Sequence, residues 1–127
     1  MILLVTTTDL VRVVTGQAGD LDVVTAFVDR DQTTHAVEAA NPQRTTITTA
    51  TTTTIVAAPA SGKTRNVVEM MLRNAHASSN LDVTVVVELT GPVTYELHKV
   101  TLAPGECLEY VEGIGFFTLA AASTGFG

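Results

Sequence analysis

Apolar and polar residues alternate with a period of two along most of the chain, the pattern of strands that hold one face against a core. It is clearest over residues 80–90, where Leu81, Val83, Val85, Val87 and Leu89 share one face and Asp82, Thr84 and Glu88 share the other with Val86. Residues 65–73 alternate too, with Val68, Met70 and Leu72 on one side and Glu69 and Arg73 on the other. Between them, His76-Ala77-Ser78-Ser79-Asn80 is small and polar, as a loop between paired strands should be. Residues 64–90 are therefore predicted to form the central hairpin of the fold.

Downstream, Gly91-Pro92 marks a turn and residues 93–102 resume an extended pattern. Ala103-Pro104-Gly105-Glu106 is a second turn, with Pro pre-setting φ at its second position. Residues 107–111 and 115–121 then read as short strands around a tight turn at Glu112-Gly113. Upstream, residues 44–58 form a Thr-rich tract with poor helix and good strand propensity, closed by Pro59. In the first part of the chain, residues 2–7, 10–15 and 21–28 are strand candidates, and Asp29-Arg30-Asp31-Gln32 is expected to turn. Residues 33–43 have the weakest strand signal and are expected to be a linker or crossing loop, ending at Asn41-Pro42.

The chain thus divides into N-terminal strands with a linker over residues 1–43 and a core over residues 44–127. About eight to ten short strands at this spacing predict an all-β single domain, an antiparallel β-sandwich or jelly-roll-like fold. Residues 1–15 fit two roles, a strand arm exchanged with a neighbour or the first hairpin of the sandwich.

Composition agrees with sheet. About one residue in six is Thr, and Val, Ala and Leu dominate the apolar set. At 127 residues, with 46% hydrophobic and 16% charged residues, the chain can bury a core and does not read as disordered. The net charge is −6, from 7 basic and 13 acidic residues, the wrong sign for a phosphate-binding footprint or an anionic membrane. No nucleic acid and no membrane partner is expected. Cys107 is the single cysteine, which excludes an internal disulfide. The N-terminus has no basic flank and its apolar run is interrupted at Thr6 to Asp9, so no signal peptide is expected and no run is long enough to be a transmembrane helix.

Several stretches imitate chemistry. The run Ala57-Ala58-Pro59-Ala60-Ser61-Gly62-Lys63-Thr64 has the outline of a phosphate loop, whose N–H groups cradle phosphates while Lys and Thr reach oxygens and Mg²⁺. Here Ala57 stands in the place of the first Gly, Pro59 removes an N–H, and the next segment alternates as a strand instead of opening a helix. A turn with a solvated Lys63 is expected, with nucleotide hydrolysis at Lys63 as the outside reading. His35, His76 and His98 lie in separate segments without ligand spacing and are expected at the surface or rim. The pairs Asp20/Asp22 and Asp29/Asp31 lack the glycine context of a Ca²⁺ loop and are expected in solvated turns.

Cys107 sits beside Glu106 and Glu109, carboxylates that would raise a thiol pKa, so it reads as a small buried hydrophobe and not as a nucleophile. Glu106, Glu109 and Glu112 fall in one short stretch of a chain with no Trp, a poor basis for a glycosidase pair. No catalytic, cofactor-binding or metal-binding residue is assigned, and no cofactor is expected. Function should then lie on edges, loop tips and the N-terminal run.

One further pattern concerns the whole chain. ITTATTTTIVAAPASGKTRNVVEMMLRN, the Asn74-Ala75-His76-Ala77-Ser78 loop and VTYELHKVTLAPGECLEYVEGIGFF, preceded by VTGQAGDLDVVTAFVD, together resemble a group of small β-rich structural proteins of tailed bacteriophages. The motifs carrying the resemblance are turn and strand signatures. The resemblance implies a non-enzymatic virion component, made in the host cytoplasm, of the head decoration (cement) or the head- or tail-attached type. Its partners would be the major capsid protein or other virion proteins and its own copies, as a homotrimer. A tail, spike or fibre module that binds host surface is the alternative. Aromatic residues are only 5%, with Tyr95 and Tyr110 the two tyrosines, and this disfavours a sugar-stacking platform.

Overall fold

The computed structural model describes residues 1–39 and 42–121. They form eleven strands and no helix, arranged as two antiparallel sheets. In the seven-stranded sheet, β3 (Leu21–Asp31) and β7 (Lys63–Asn74) are the spine, paired from Leu21↔Asn74 to Asp31↔Lys63. The other edge of β7 is shared end to end by β10 (Cys107–Val111) and β1 (Ile2–Leu4), and β11 (Gly115–Leu119) extends β10. The far edge of β3 is shared by β5 (Gln43–Ile47) and β4 (Val37–Glu38). The four-stranded sheet runs β6 (Thr52–Val56), β2 (Leu10–Thr15), β8 (Leu81–Leu89), β9 (Val93–Leu102).

The inner faces of both sheets meet in one hydrophobic core, which makes the domain a β-sandwich. Leu4, Leu21, Met70, Leu72 and Leu108 enter from one sheet and Val11, Val13, Leu81, Val83 and Leu102 from the other, all essentially without solvent contact. Burying each contributes about 2 kcal/mol. At one open side, His98 of β9 stacks on Phe116 of β11, ring centroids 5.0 Å apart and 7° from parallel, so an aromatic pair closes the gap between the sheets.

The predicted central hairpin does not form. β7 and β8 lie in different sheets, because Leu72 and Leu81 bury from opposite sides of the same core. The crossing is held by Asn74, which is fully buried. Its Nδ2 donates to the carbonyls of Ser79 (2.8 Å) and Leu102 (3.0 Å), and its Oδ1 accepts the His76 N–H (3.1 Å). A buried amide with these partners fixes the loop against β9 instead of letting it close a hairpin.

The first fifteen residues depart from expectation in the same way. β1 pairs with β7 and β2 pairs with β6 and β8, so the two runs are not a hairpin with each other. The turn expected at Asp29-Arg30-Asp31-Gln32 is still strand, since β3 continues to Asp31 opposite Lys63. The chain reverses one step later, where Asp31 Oδ1 accepts the N–H groups of Thr33 and Thr34, both at 2.8 Å. The expected linker includes β4, and its Ala40 and Asn41 lie outside the described residues. In β7 the register shifts opposite Ala26/Phe27, which makes Val68 a bulge residue and gives the core position to Val67. Strict alternation had assigned that position to Val68.

Candidate interaction surface

Most of the polar groups singled out from the sequence are tied into the scaffold, and so is Asp9. Asp9 is 4% exposed. Its Oδ2 accepts the N–H groups of Val5 and Thr6, both at 3.0 Å. Its Oδ1 accepts the Thr6 hydroxyl (2.8 Å), the Thr90 N–H (3.0 Å) and the Thr90 hydroxyl (3.2 Å). Burial alone would raise the Asp9 carboxyl, but these donors outweigh it and hold the pKa at about 2. One carboxylate thus fastens the β1–β2 loop to the β8–β9 turn, beside a cleft of about 460 Å³ lined by Thr7, Thr8, Leu10 and residues 88–92.

Asp29 is not in a solvated turn but in a largely buried ion pair on β3. Arg65 Nε and Nη2 meet its two carboxylate oxygens at 2.8 and 2.9 Å. The same guanidinium donates to the Ala57 carbonyl (2.8 Å) and lies 3.8 Å from the centroid of the Phe27 ring. The phosphate-loop lookalike is a turn, closed by the Lys63 N–H on the Ala60 carbonyl at 3.1 Å with Gly62 at φ +80°. Thr64 continues β7, and Lys63 is not free but pairs with Glu38.

Asp22 accepts the Thr46 hydroxyl at 3.3 Å. His35, at φ +62°, belongs to the turn that Asp31 caps, and His76 Nδ1 accepts the N–H groups of Ser78 and Ser79. Glu106 caps its own turn through the Ala103 N–H and Glu112 accepts from Asn66 Nδ2, so the three glutamates do not converge. Cys107 is half-buried instead of buried, and its thiol is raised by burial first and then by Glu109, against an opposing pull from Arg73. Among the described residues, no three His, Cys, Asp or Glu side chains are gathered where they could hold a metal ion.

What the sequence reading missed is a sheet face. On the outer side of the seven-stranded sheet, strand register lines up Phe117, Glu109, Met71, Val24 and Arg44 in one row. Adjacent rows are Leu119, Cys107, Arg73, Asp22, Thr46 and Val111, Glu69, Ala26. Beyond the bulge come Leu3, Asn66, Val28 and then Thr64, Arg30, Val37. Four large apolar side chains exposed to solvent lie on or beside this face: Met1 (81%), Leu3 (45%), Val37 (68%) and Leu119 (47%). Met1, Leu3, Val28 and Val37 line a depression of about 340 Å³, and Val24, Ala26, Pro42 and Met71 line another of about 190 Å³.

The outer face of the four-stranded sheet is more polar, with rows such as Thr54, Arg12, Val86, Glu96 and Thr52, Val14, Thr84, Lys99. The apolar face leaves a trace in the sequence as the doublets Val23-Val24, Met70-Met71 and Phe116-Phe117, although the four-stranded sheet carries Val13-Val14 and Val86-Val87 as well.

The charges of the apolar face are ordered as well. Its strand positions carry Arg30, Arg44 and Arg73 against Asp22, Glu69 and Glu109, a sum of zero on a chain of −6. Among the described residues the ion pairs are Arg12–Glu88, Lys63–Glu38 and Arg65–Asp29, so none of these six side chains is in one. Exposed apolar side chains among charges of both signs that stand outside ion pairs suit contact with another protein. In comparisons with known proteins, no family model, no curated protein and no solved structure matches the chain.

Proposed function

We propose that this chain is a non-enzymatic structural subunit that works by surface contact, and specifically a capsid decoration or cement subunit of a tailed-phage particle. The observation that carries the contact reading is the outer face of the seven-stranded sheet, where apolar side chains stand exposed among unpaired charges. The candidate polar groups support it from the other side: Asp9, Asp29, Lys63 and Asn74 hold strands and loops together. The virion assignment rests on the resemblance of the turn and strand signatures, and its partner would be the major capsid protein.

The test is direct. Purified protein mixed with undecorated heads should co-sediment at a fixed ratio of copies to capsid protein and should raise the temperature at which the heads open. Heads that leave the protein in the supernatant at every concentration would refute the decoration role.

A further inference from the structure

We infer that the outer face of the seven-stranded sheet docks a second copy of this chain, sheet against sheet, about a two-fold axis running parallel to β3 and β7 between them. This rests on the contact reading above and assigns that face to a second copy, which leaves other parts of the surface for the capsid protein.

Three observations converge on a second copy. The first is charge. On a chain of −6, two copies repel over most of their surfaces, whereas this face sums to zero at its strand positions. The second is the order of those charges. Rotation about such an axis exchanges β7 with β3 and β10 with β5 while keeping each row. Met71 then faces the partner's Val24, Arg73 faces the partner's Asp22, and Glu109 faces the partner's Arg44. Every contact occurs twice, as an isologous interface requires.

The third observation is size. Four strand positions overlap across this axis, spaced about 4.8 Å, and nine residues rising about 3.3 Å each give roughly 570 Å² per copy. The two copies would bury about 1,100 Å², above the roughly 1,000 Å² that a specific interface must clear. Aligned stacking of sheets about 10 Å apart leaves room for Met71 and Val24 to interdigitate. A closed trimer needs two different patches in contact, and this face complements itself.

Glu109 and Arg44 give a clean test, because within one chain they are three strand spacings apart, about 14 Å, and cannot pair with each other. Sedimentation velocity on the intact protein should show a dimer. E109R and R44E each place like charges opposite one another twice and should each weaken self-association about tenfold. An equimolar mixture of the two single variants should recover association of wild-type strength, since in the mixed dimer the E109R and R44E side chains meet with opposite charge at one contact and the native Glu109–Arg44 pair forms at the other. Both variants should give the circular dichroism of the wild type, so that weakened association is not loss of fold.

A monomeric or trimeric wild type, unchanged association of the single variants, or a mixture that stays as weak as its components would each overturn the inference. Head binding is scored separately. A dimer that ignores heads leaves this inference intact and refutes the decoration role, and a monomer that decorates heads does the reverse.

Discussion

Removing the Asp9 carboxylate should loosen the fold at one identifiable place, and the structure sets the size of the effect. Five donors converge on Asp9, three of them backbone N–H groups at 3.0 Å that have no freedom to point elsewhere. Asp9→Ala leaves those three unsatisfied at a site that water reaches in part, a cost of about 3 kcal/mol when hydrogen bonds to a charged group are worth about 1.5–3 each and are not additive. Asp9→Asn is milder. Its carbonyl can serve Val5 and Thr6 while its NH₂ faces Thr90, where the hydroxyls can turn to accept and only the Thr90 N–H is opposed by another donor. About 1.5 kcal/mol is expected. For a domain of this size the midpoint of thermal unfolding should fall by about 12 °C for Asp9→Ala and about 6 °C for Asp9→Asn.

The pH dependence gives the sharper check. The folded pKa of Asp9 lies near 2, below the ordinary aspartate value of 3.8, so its contribution is complete above the unfolded value and is lost as pH falls toward 2. Asp31 and Asp82, which are also lowered, act equally in both proteins. Urea unfolding of wild type and Asp9→Asn from pH 7 to pH 2 should therefore show a stability gap that is constant at high pH and narrows below about pH 4. A gap that stays constant down to pH 2 would refute the assignment of these donors to an ionised carboxylate.

Other perturbations test other parts of the fold. Asp29→Ala strands the Arg65 guanidinium in a largely buried position and should cost about 3 kcal/mol, whereas D29L combined with R65M should cost less than the single change. Thermal melts in which the double variant is the less stable would contradict this. Gly105→Ala forces an L-residue to φ +80° and sets its Cβ 2.9 Å from that of Ala121, so it should destabilise more than Gly62→Ala, which has the same φ and open space around it. The strain alone is worth about 1–2 kcal/mol, and equal losses in chemical denaturation would remove the steric part of the argument. Cys107, raised chiefly by burial, should alkylate more slowly with iodoacetamide at pH 8 than the same thiol in urea. Equal rates would place the thiol in solvent.

The sequence by itself determined that the chain would be strands, and where most of them run. Alternation over residues 80–90, the Thr-rich tract and the turns at Pro104-Gly105 and Glu112-Gly113 are local signals, and each reports which residues share a face or where the backbone must reverse. Such signals are silent on what lies across the face. Leu72 and Leu81 alternate as two strands of a hairpin would, yet they bury from opposite sheets, because Asn74 finds its hydrogen-bond partners in Ser79 and Leu102, the latter 28 residues away. The bulge at Val68 and the pairing of Asp29 with Arg65 were likewise decided by partners distant along the chain.

The candidate surface shows the same division. Its apolar doublets are written in the sequence, but the rows that set Glu109, Met71, Val24 and Arg44 side by side come from four strands between residues 24 and 109. Periodicity assigns each residue a face, and only the pairing of strands assigns that face its neighbours.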